Sequence, residues 1–344
     1  MLKDILTGAE LERLKTLIAD NEKIVVCCHV NPDGDAVGAC LGWAEYLRLL
    51  GKEPVVIVPD QYPDFLQWLP DTNRIVRYDK HREKADEMLR ECGLLFCLDF
   101  NTPSRTDAMA GSIVASKADK VMIDHHPNPD MECSLLISRP DYSSTCELIF
   151  GIVWQSGGFE RLDRKFAVPI YCGMMTDTGG FTYNSTRAEI FFVISMLLTK
   201  GIDKDKIYRN VYNNYSENRM RLTGYVLYRQ LEVDRKRHAA YFSLTRKDLR
   251  RFHFIKGDAE GLVNMPLQIK GIKLSISLRE DTERDNTIWV SLRSVDDFPC
   301  NKVAEAFFNG GGHLNASGGR LHCSMEEAIE VTKKAILHFE NTLK

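Results

Sequence analysis

Four short apolar runs, three of them ending on acidic or imidazole side chains, constrain the fold of this chain more than any other feature. KIVVCCH (23–29) is rich in β-branched residues, and DAVGACLGWAEYLRLLGKEP follows with apolar residues at helical spacing and Gly51 placed to end the helix. PVVIV (54–58), LLFCLDF (94–100) and KVMIDHH (120–126) repeat the strand signal, separated by helical or loop segments. That rhythm predicts an α/β unit whose parallel sheet carries helices on both faces. In such a sheet the C-terminal ends of the strands converge on one crevice, where ligands bind.

The second half changes character. HAAYFSLT, GIKLSISLRE and NTIWVSLRS alternate apolar and polar residues with period two, as half-buried strands do. A glycine-rich turn, NGGGHLNASGG, then separates two helices. With 344 residues, two domains are expected: 1–186, a helical linker over 187–215 where composition turns polar, and a smaller α/β domain over 216–344. Capping boxes are read at Thr7 with Glu10, Ser144 with Glu147, and Thr186 with Glu189, the last opening a helix that stops at Gly201.

The formal charge of −3 speaks against a surface that grips long duplex nucleic acid through many phosphates, so any nucleic-acid partner is short. Ten scattered cysteines without a CxxC pair read as reduced, mostly buried thiols. The charged, amphipathic N-terminal stretch does not read as a signal peptide, and no apolar run approaches a membrane span, so a cytoplasmic protein with no membrane partner is expected.

His29, Asp33 and Asp35 follow the first run; Asp99 ends the third; Asp124, His125 and His126 end the fourth; Asp177 sits in a loop, TDTGG. Carboxylates gathered in one crevice repel unless cations neutralise them. Imidazoles among carboxylates, with no thiolate, suit Mn²⁺, with Mg²⁺, Co²⁺ and Fe²⁺ compatible. One aspartate can bridge two ions about 3.5 to 4 Å apart, the spacing of two-metal phosphoryl hydrolysis. Taken singly, DGD is a solvated turn and DHH little more; their joint placement after successive strands outweighs that reading.

HVNPDGDAVG, CLDFN, IDHHP and TDTGGF resemble the four motifs of the DHH domain, and FFNGGGHLNASGG resembles the glycine-rich signature of the DHHA1 domain. The resemblance is to the DHH/DHHA1 phosphoesterases, in particular the bifunctional oligoribonuclease and 3′-phosphoadenosine-5′-phosphate (pAp) phosphatases, and it covers nearly the whole chain. It implies two Mn²⁺ ions, with His29 and Asp33 on one, Asp35, His125 and Asp177 on the other, and Asp99 between them. It further implies that His126 faces substrate phosphate and that Asp124 orients its neighbours. It leaves a homodimer open.

In the second domain the resemblance makes Gly311 and Gly312 part of a backbone phosphate nest, with His313, Asn315 and Ser317 adding hydrogen bonds. Arg293 can pair with a substrate phosphate through its planar fork; its bland reading is a surface salt bridge. The basic clusters DRKRH and TRKDLRRFHFIKG read as solvated faces. The expected activity is hydrolysis of pAp and of oligoribonucleotides a few units long to mononucleotides. Competing readings are cleavage of linear or cyclic dinucleotides, hydrolysis of polyphosphate or pyrophosphate, and a nucleotide sensor without turnover.

Overall fold

The computed structural model describes residues 2–255 and 257–343. Contacts divide the chain into two compact units, Met1–Asn214 and Tyr215–Lys344. Lys256, within the second basic cluster, lies outside the described residues.

The first unit is built on six parallel strands, β1 (Ile24–Cys27), β2 (Val55–Val58), β3 (Val76–Arg77), β4 (Leu94–Leu98), β5 (Asp119–Asp124) and β6 (Leu135–Ser138), in the order β3-β2-β1-β4-β5-β6. Ile24, Val26 and Cys28 enter one core while Val25 and Cys27 enter another on the opposite face, which is why the first run is apolar without alternation. Helices Gly34–Leu49, Thr145–Gln155 and Arg164–Asp177 cover one face; Arg82–Glu91 and Ala110–Ala115 cover the other. The edge strands β3 and β6 gave no sequence signal: β3 has two residues, and Leu136 of β6 faces outward.

Helix Gly34–Leu49 packs closely on helix Arg164–Asp177 through a stripe of glycines. A Cβ on Gly38 would lie 2.4 Å from the carbonyl oxygen of Pro169, and one on Gly34 would lie 2.3 Å from Thr176 Oγ1. Gly42 faces Ile170 in the same stripe, one turn further along.

The Thr7 box forms, each partner bonding the other's backbone amide. Ser144 caps its helix through the amide of Glu147, but the Glu147 carboxylate goes to the amide and hydroxyl of Ser143 instead of back to Ser144. The Thr186 box does not form: the helix starts at Ala188, and Arg187, just before it, sends its guanidinium to Glu147 and to the Asp141 carbonyl. Within the segment read as a linker, helices Ala188–Leu198 and Lys204–Tyr212 bury Ile190, Val193, Leu197, Ile207 and Val211 in the first unit's core.

The second unit holds a mixed sheet of β7 (Glu232–Asp234), β8 (Ala239–Leu244), β9 (Leu274–Glu280), β10 (Ile288–Ser294), β11 (Gly311–Gly312) and β12 (Ala316–Leu321), ordered β11-β12-β10-β9-β8-β7. Leu274, Ile276, Leu278, Ile288, Val290 and Leu292 share a core with helices Cys300–Phe307 and Met325–His338. The glycine-rich segment is a hairpin of β11 and β12 and not a bare turn. A Cβ at Gly310 would lie 1.9 Å from the Gly318 carbonyl oxygen, so close backbone approach accounts for that glycine.

Candidate metal centre

The strand order reverses between β1 and β4, so the loops after these strands part and leave a crevice at their C-terminal ends. His29 follows β1 and Asp99 follows β4 at that point. Asp33 caps helix Gly34–Leu49, its Oδ1 accepting from the amides of Asp35 and Ala36 at 3.0 Å each. Asp35, in the first turn, is buried and accepts from the amides of Thr145 and Cys146 at 2.7 and 2.9 Å, at the positive end of helix Thr145–Gln155. Asp99 sits at a φ of 62°, a left-handed backbone that costs a non-glycine residue about 1 kcal/mol or more. Asp177 is the last residue of helix Arg164–Asp177; the loop expected to carry it begins only after it.

Two donor sets result. His29 Nε2 lies 3.3 Å from Asp99 Oδ2 and 3.9 Å from Asp33 Oδ1. His125 Nε2 lies 3.5 Å from Asp99 Oδ1, 3.5 Å from Asp177 Oδ2 and 3.8 Å from Asp35 Oδ2. Asp99 thus turns one oxygen to each set. Donors bound to one small cation at about 2.1 Å stand about 3.0 to 3.6 Å apart, close to these separations. Each set's donor atoms also lie within 4.8 Å of one another. The remaining imidazole nitrogens are used elsewhere: His29 Nδ1 meets the Val30 carbonyl at 2.8 Å and His125 Nδ1 the Tyr142 carbonyl at 3.3 Å, which leaves Nε2 of each facing the cluster.

Burial and mutual charge perturb the groups of this cluster in opposite directions. Burial, together with the charges of Asp99 and Asp177, pushes Asp35 well above the usual carboxylate range. Burial acts the same way on Asp99, but the His125 and His29 imidazoles beside it hold it well below that range. Burial would lower His125, yet Asp177, Asp99 and Asp35 around it raise it well above an ordinary histidine. The donor set therefore fits hard or borderline divalent cations, whose charge would replace the protons these groups otherwise share.

His126 Nδ1 pairs with Asp124 Oδ1 at 2.7 Å and lies 3.7 Å from Asp99 Oδ1. Burial and the Arg105 charge push His126 below its ordinary value. The second oxygen of Asp124 is buried without a partner.

Two participants escaped sequence reasoning. Thr145 donates its hydroxyl to Asp99 Oδ1 at 2.9 Å, and Arg105 places its guanidinium near His29 and His126 while its carbonyl accepts from the Val30 amide at 2.7 Å. The only available signals were that Thr145 adjoins the Ser144 cap and that Arg105 lies six residues after Asp99.

In the second unit the glycine run forms one arm of the β11–β12 hairpin at the sheet edge. The amide of Gly310 donates to Ala304, that of His313 donates to Ala316, and Gly311 and Gly312 pair with Gly318 and Ser317. The Asn315 amide donates to Ser294 and Asp296, and the Ser317 hydroxyl meets Cys300 Sγ at 2.8 Å, so both turn into the fold instead of toward a ligand. Arg293 makes no salt bridge among the described residues; one Nη donates to the Leu292 carbonyl, and Nε is buried without a partner. The basic clusters fit their bland reading, with Arg237 paired to Asp234 and Glu340, and Arg246 to Asp285.

A doubly covered parallel sheet with a histidine–aspartate cluster at its switch point, followed by a second α/β unit with a glycine hairpin, is the layout of a DHH-type phosphoesterase. The chain belongs to that family: residues 23–174 match the DHH family N-terminal domain and residues 240–339 the DHHA1 domain. It is similar to the bifunctional oligoribonuclease and PAP phosphatase NrnA of Thermus thermophilus, at 27% identity over 91% of this chain and 89% of that protein. The cyclic-di-AMP phosphodiesterase GdpP of Bacillus subtilis is 25% identical over 94% of this chain, which spans 49% of GdpP. A crystal structure of an exopolyphosphatase-related protein from Bacteroides fragilis, 48% identical, superposes over 99% of both chains with a TM-score of 0.94. RecJ of Thermus thermophilus, crystallised with Mn²⁺, shares the fold at a TM-score of 0.56 and 12% identity over 99% of this chain and 56% of RecJ. No helix among the described residues is long and apolar enough to cross a membrane.

Proposed function

We propose that this chain hydrolyses short oligoribonucleotides and pAp to mononucleotides, at a centre of two divalent cations with Mn²⁺ preferred. The observation that carries the reading is Asp99, whose two carboxylate oxygens face two separate histidine–aspartate sets. His29, Asp33 and Asp99 would hold one cation, and Asp35, His125, Asp177 and Asp99 the other. Bound there, the pair supplies Lewis acidity and lowers the pKa of water toward neutrality.

The chain's own groups do the rest. The Val30 and Tyr142 carbonyls fix the imidazole tautomers of His29 and His125. Amides at the start of helix Thr145–Gln155 hold Asp35, and the Thr145 hydroxyl holds Asp99. His126, neutral at Nε2 and backed by Asp124 at Nδ1, can accept a proton there; once protonated it can donate to a phosphoryl oxygen, with the Asp124 charge favouring that form. The positive charge of Arg105 acts on both imidazoles. We assign residues 1–186 to the metal-holding part, 187–215 to the linking segment, and 216–344 to substrate binding through Arg293 and His313.

A second reading, hydrolysis of polyphosphate, is favoured by the name of the Bacteroides fragilis relative at 48% identity. Manganese-loaded protein offered pAp, pApA, cyclic di-AMP, three- to five-unit RNA and polyphosphate separates the two. Preferred turnover of pAp and short RNA is expected. Turnover of polyphosphate alone would replace the reading, and tight binding of pAp without cleavage would make the chain a sensor.

A further inference from the structure

Two carboxylates of the first unit that belong to neither donor set stand in the same relation to its two histidines. Glu147 is buried near the start of helix Thr145–Gln155, where a capping-box glutamate would return to the amide of the Ser144 cap. Its Oε2 instead accepts from the Ser143 amide and the Ser143 hydroxyl, at 2.8 Å each, and its other oxygen pairs with Arg187. Arg187 also donates to the Asp141 carbonyl at 2.6 Å and lies 4.6 Å from the centre of the Tyr142 ring. Asp60, two residues beyond β2, accepts from the Asn31 amide at 2.7 Å, where Asn31 is held at a left-handed φ of 53°.

Each of these amides belongs to the peptide unit whose carbonyl takes a metal-site imidazole. The Ser143 N–H shares its peptide with the Tyr142 carbonyl, which accepts from His125 Nδ1 at 3.3 Å. The Asn31 N–H shares its peptide with the Val30 carbonyl, which accepts from His29 Nδ1 at 2.8 Å. No peptide bond among the described residues is cis, so N–H and C=O point in opposite directions in both units. Two lines of groups result: Glu147, the 142–143 peptide and His125, and Asp60, the 30–31 peptide and His29, each ending on an Nε2 that faces the aspartates of its own donor set. An anionic acceptor on a peptide N–H pushes electron density toward the carbonyl oxygen and makes it the stronger acceptor. That keeps the proton on Nδ1 and makes Nε2 the more basic ligand atom.

We propose that Asp60 and Glu147 are positioning residues for the two cation sites, each acting through a single peptide unit to orient one histidine and strengthen it as a ligand. The proposal rests on the reading of the cluster as a two-cation centre and extends it to two carboxylates that belong to neither donor set. Because each line ends on a different histidine, each carboxylate governs a different cation. A merely structural carboxylate would lend its energy to folding and leave the affinity of the folded protein for a cation unchanged.

The test uses the full-length protein and the metal alone. Mn²⁺ is titrated by isothermal calorimetry into wild type, Asp60→Asn, Asp60→Ala, Glu147→Gln and the Asp60→Ala/Glu147→Gln double variant, each checked for fold by circular dichroism. Wild type is expected to take up two Mn²⁺. Asp60→Ala and Glu147→Gln are each expected to weaken one of them about tenfold or more and leave the other near wild type, and the double variant to weaken both. Asp60→Asn keeps an acceptor for the Asn31 amide and loses the charge, so it should fall between wild type and Asp60→Ala. Should Glu147→Gln fail to fold, the Asp60 series carries the test alone. Unchanged affinities in folded Asp60→Ala, equal losses at both sites in a single variant, or a lowered melting point with affinities kept overturn the positioning role and leave the two-cation centre standing. Wild type that binds no Mn²⁺ sinks the two-cation reading and the positioning role with it.

Discussion

Replacing Asp99 by asparagine keeps the side chain's shape and removes the one charge that both donor sets share. In the structure Asp99 Oδ2 stands 3.3 Å from His29 Nε2 and Oδ1 3.5 Å from His125 Nε2; an amide must turn its NH₂ toward one of them and can no longer serve both. Without a cation, the Asp99 charge is held by the His125 and His29 imidazoles, which outweighs its repulsion of Asp35. The metal-free variant is therefore expected to melt no higher than metal-free wild type. Cation binding at a hundred times Kd stabilises a protein by about 2.7 kcal/mol, which at about 2 to 4 °C per kcal/mol raises the melting point of wild type by roughly 5 to 10 °C. The variant should gain less than about 2 °C on titration with Mn²⁺ by scanning fluorimetry. Turnover of pAp should fall by about 10³-fold or more, since loss of even one preorganised group at such a centre costs about 10²- to 10³-fold. An Asp99→Asn protein that keeps the Mn²⁺ shift and a tenth of wild-type turnover would refute the shared-ligand geometry.

Three further outcomes are expected. Arg105→Gln removes the cation beside His29 and His126 and should lower kcat/KM for pAp by about 10- to 100-fold, as loss of a charged hydrogen-bonding group does, with the Mn²⁺ melting shift retained; loss of that shift would mean Arg105 acts on metal binding instead. Arg187→Ala strands the buried Glu147 carboxylate; because Arg187 is itself one-third exposed, a moderate cost of about 2 kcal/mol is expected, read as a drop in melting point of about 4 to 8 °C, and an unchanged melting curve would show that Ser143 alone satisfies Glu147. Gly38→Ala puts a methyl group 2.4 Å from the Pro169 carbonyl oxygen and should destabilise the first unit by about 1 to 3 kcal/mol in denaturant unfolding, with a wild-type midpoint contradicting the close helix crossing.

The strands of the first sheet were readable because burial on both faces makes them unbroken apolar runs, and the motif residues were readable because they fall where those runs end. β3 and β6 were not, since edge strands of two and four residues need no such composition. The His29, Asp99 and His125 cluster could be anticipated from the convergence of strand ends, but Asp177 could not be placed on a helix, because TDTGG looks like a loop from its first residue. Thr145 and Arg105 carry no motif of their own; their roles arise from contacts across 46 residues and across two neighbouring loops, which local pattern does not encode. The hairpin formed by the glycine run was not visible in the sequence, because a run of glycines carries no strand signal of its own, and Gly310 serves close backbone packing there. Thr186 is followed at capping-box spacing by Glu189, yet the helix starts at Ala188 and the residue before it, Arg187, pairs with the distant Glu147.

The helix crossing at Gly34 and Gly38 bears on which ions the centre tolerates. Asp33 and Asp35 ride on one helix of that pair and Asp177 on the other, and at Gly38 the two backbones come so close that a Cβ would lie 2.4 Å from the Pro169 carbonyl oxygen. A larger ion cannot be accommodated by sliding one rod along the other; it must be met by torsion of the aspartates alone. On the proposed two-cation reading, calcium, which wants oxygens at about 2.3 to 2.6 Å and more of them, is expected to bind more weakly than a smaller ion.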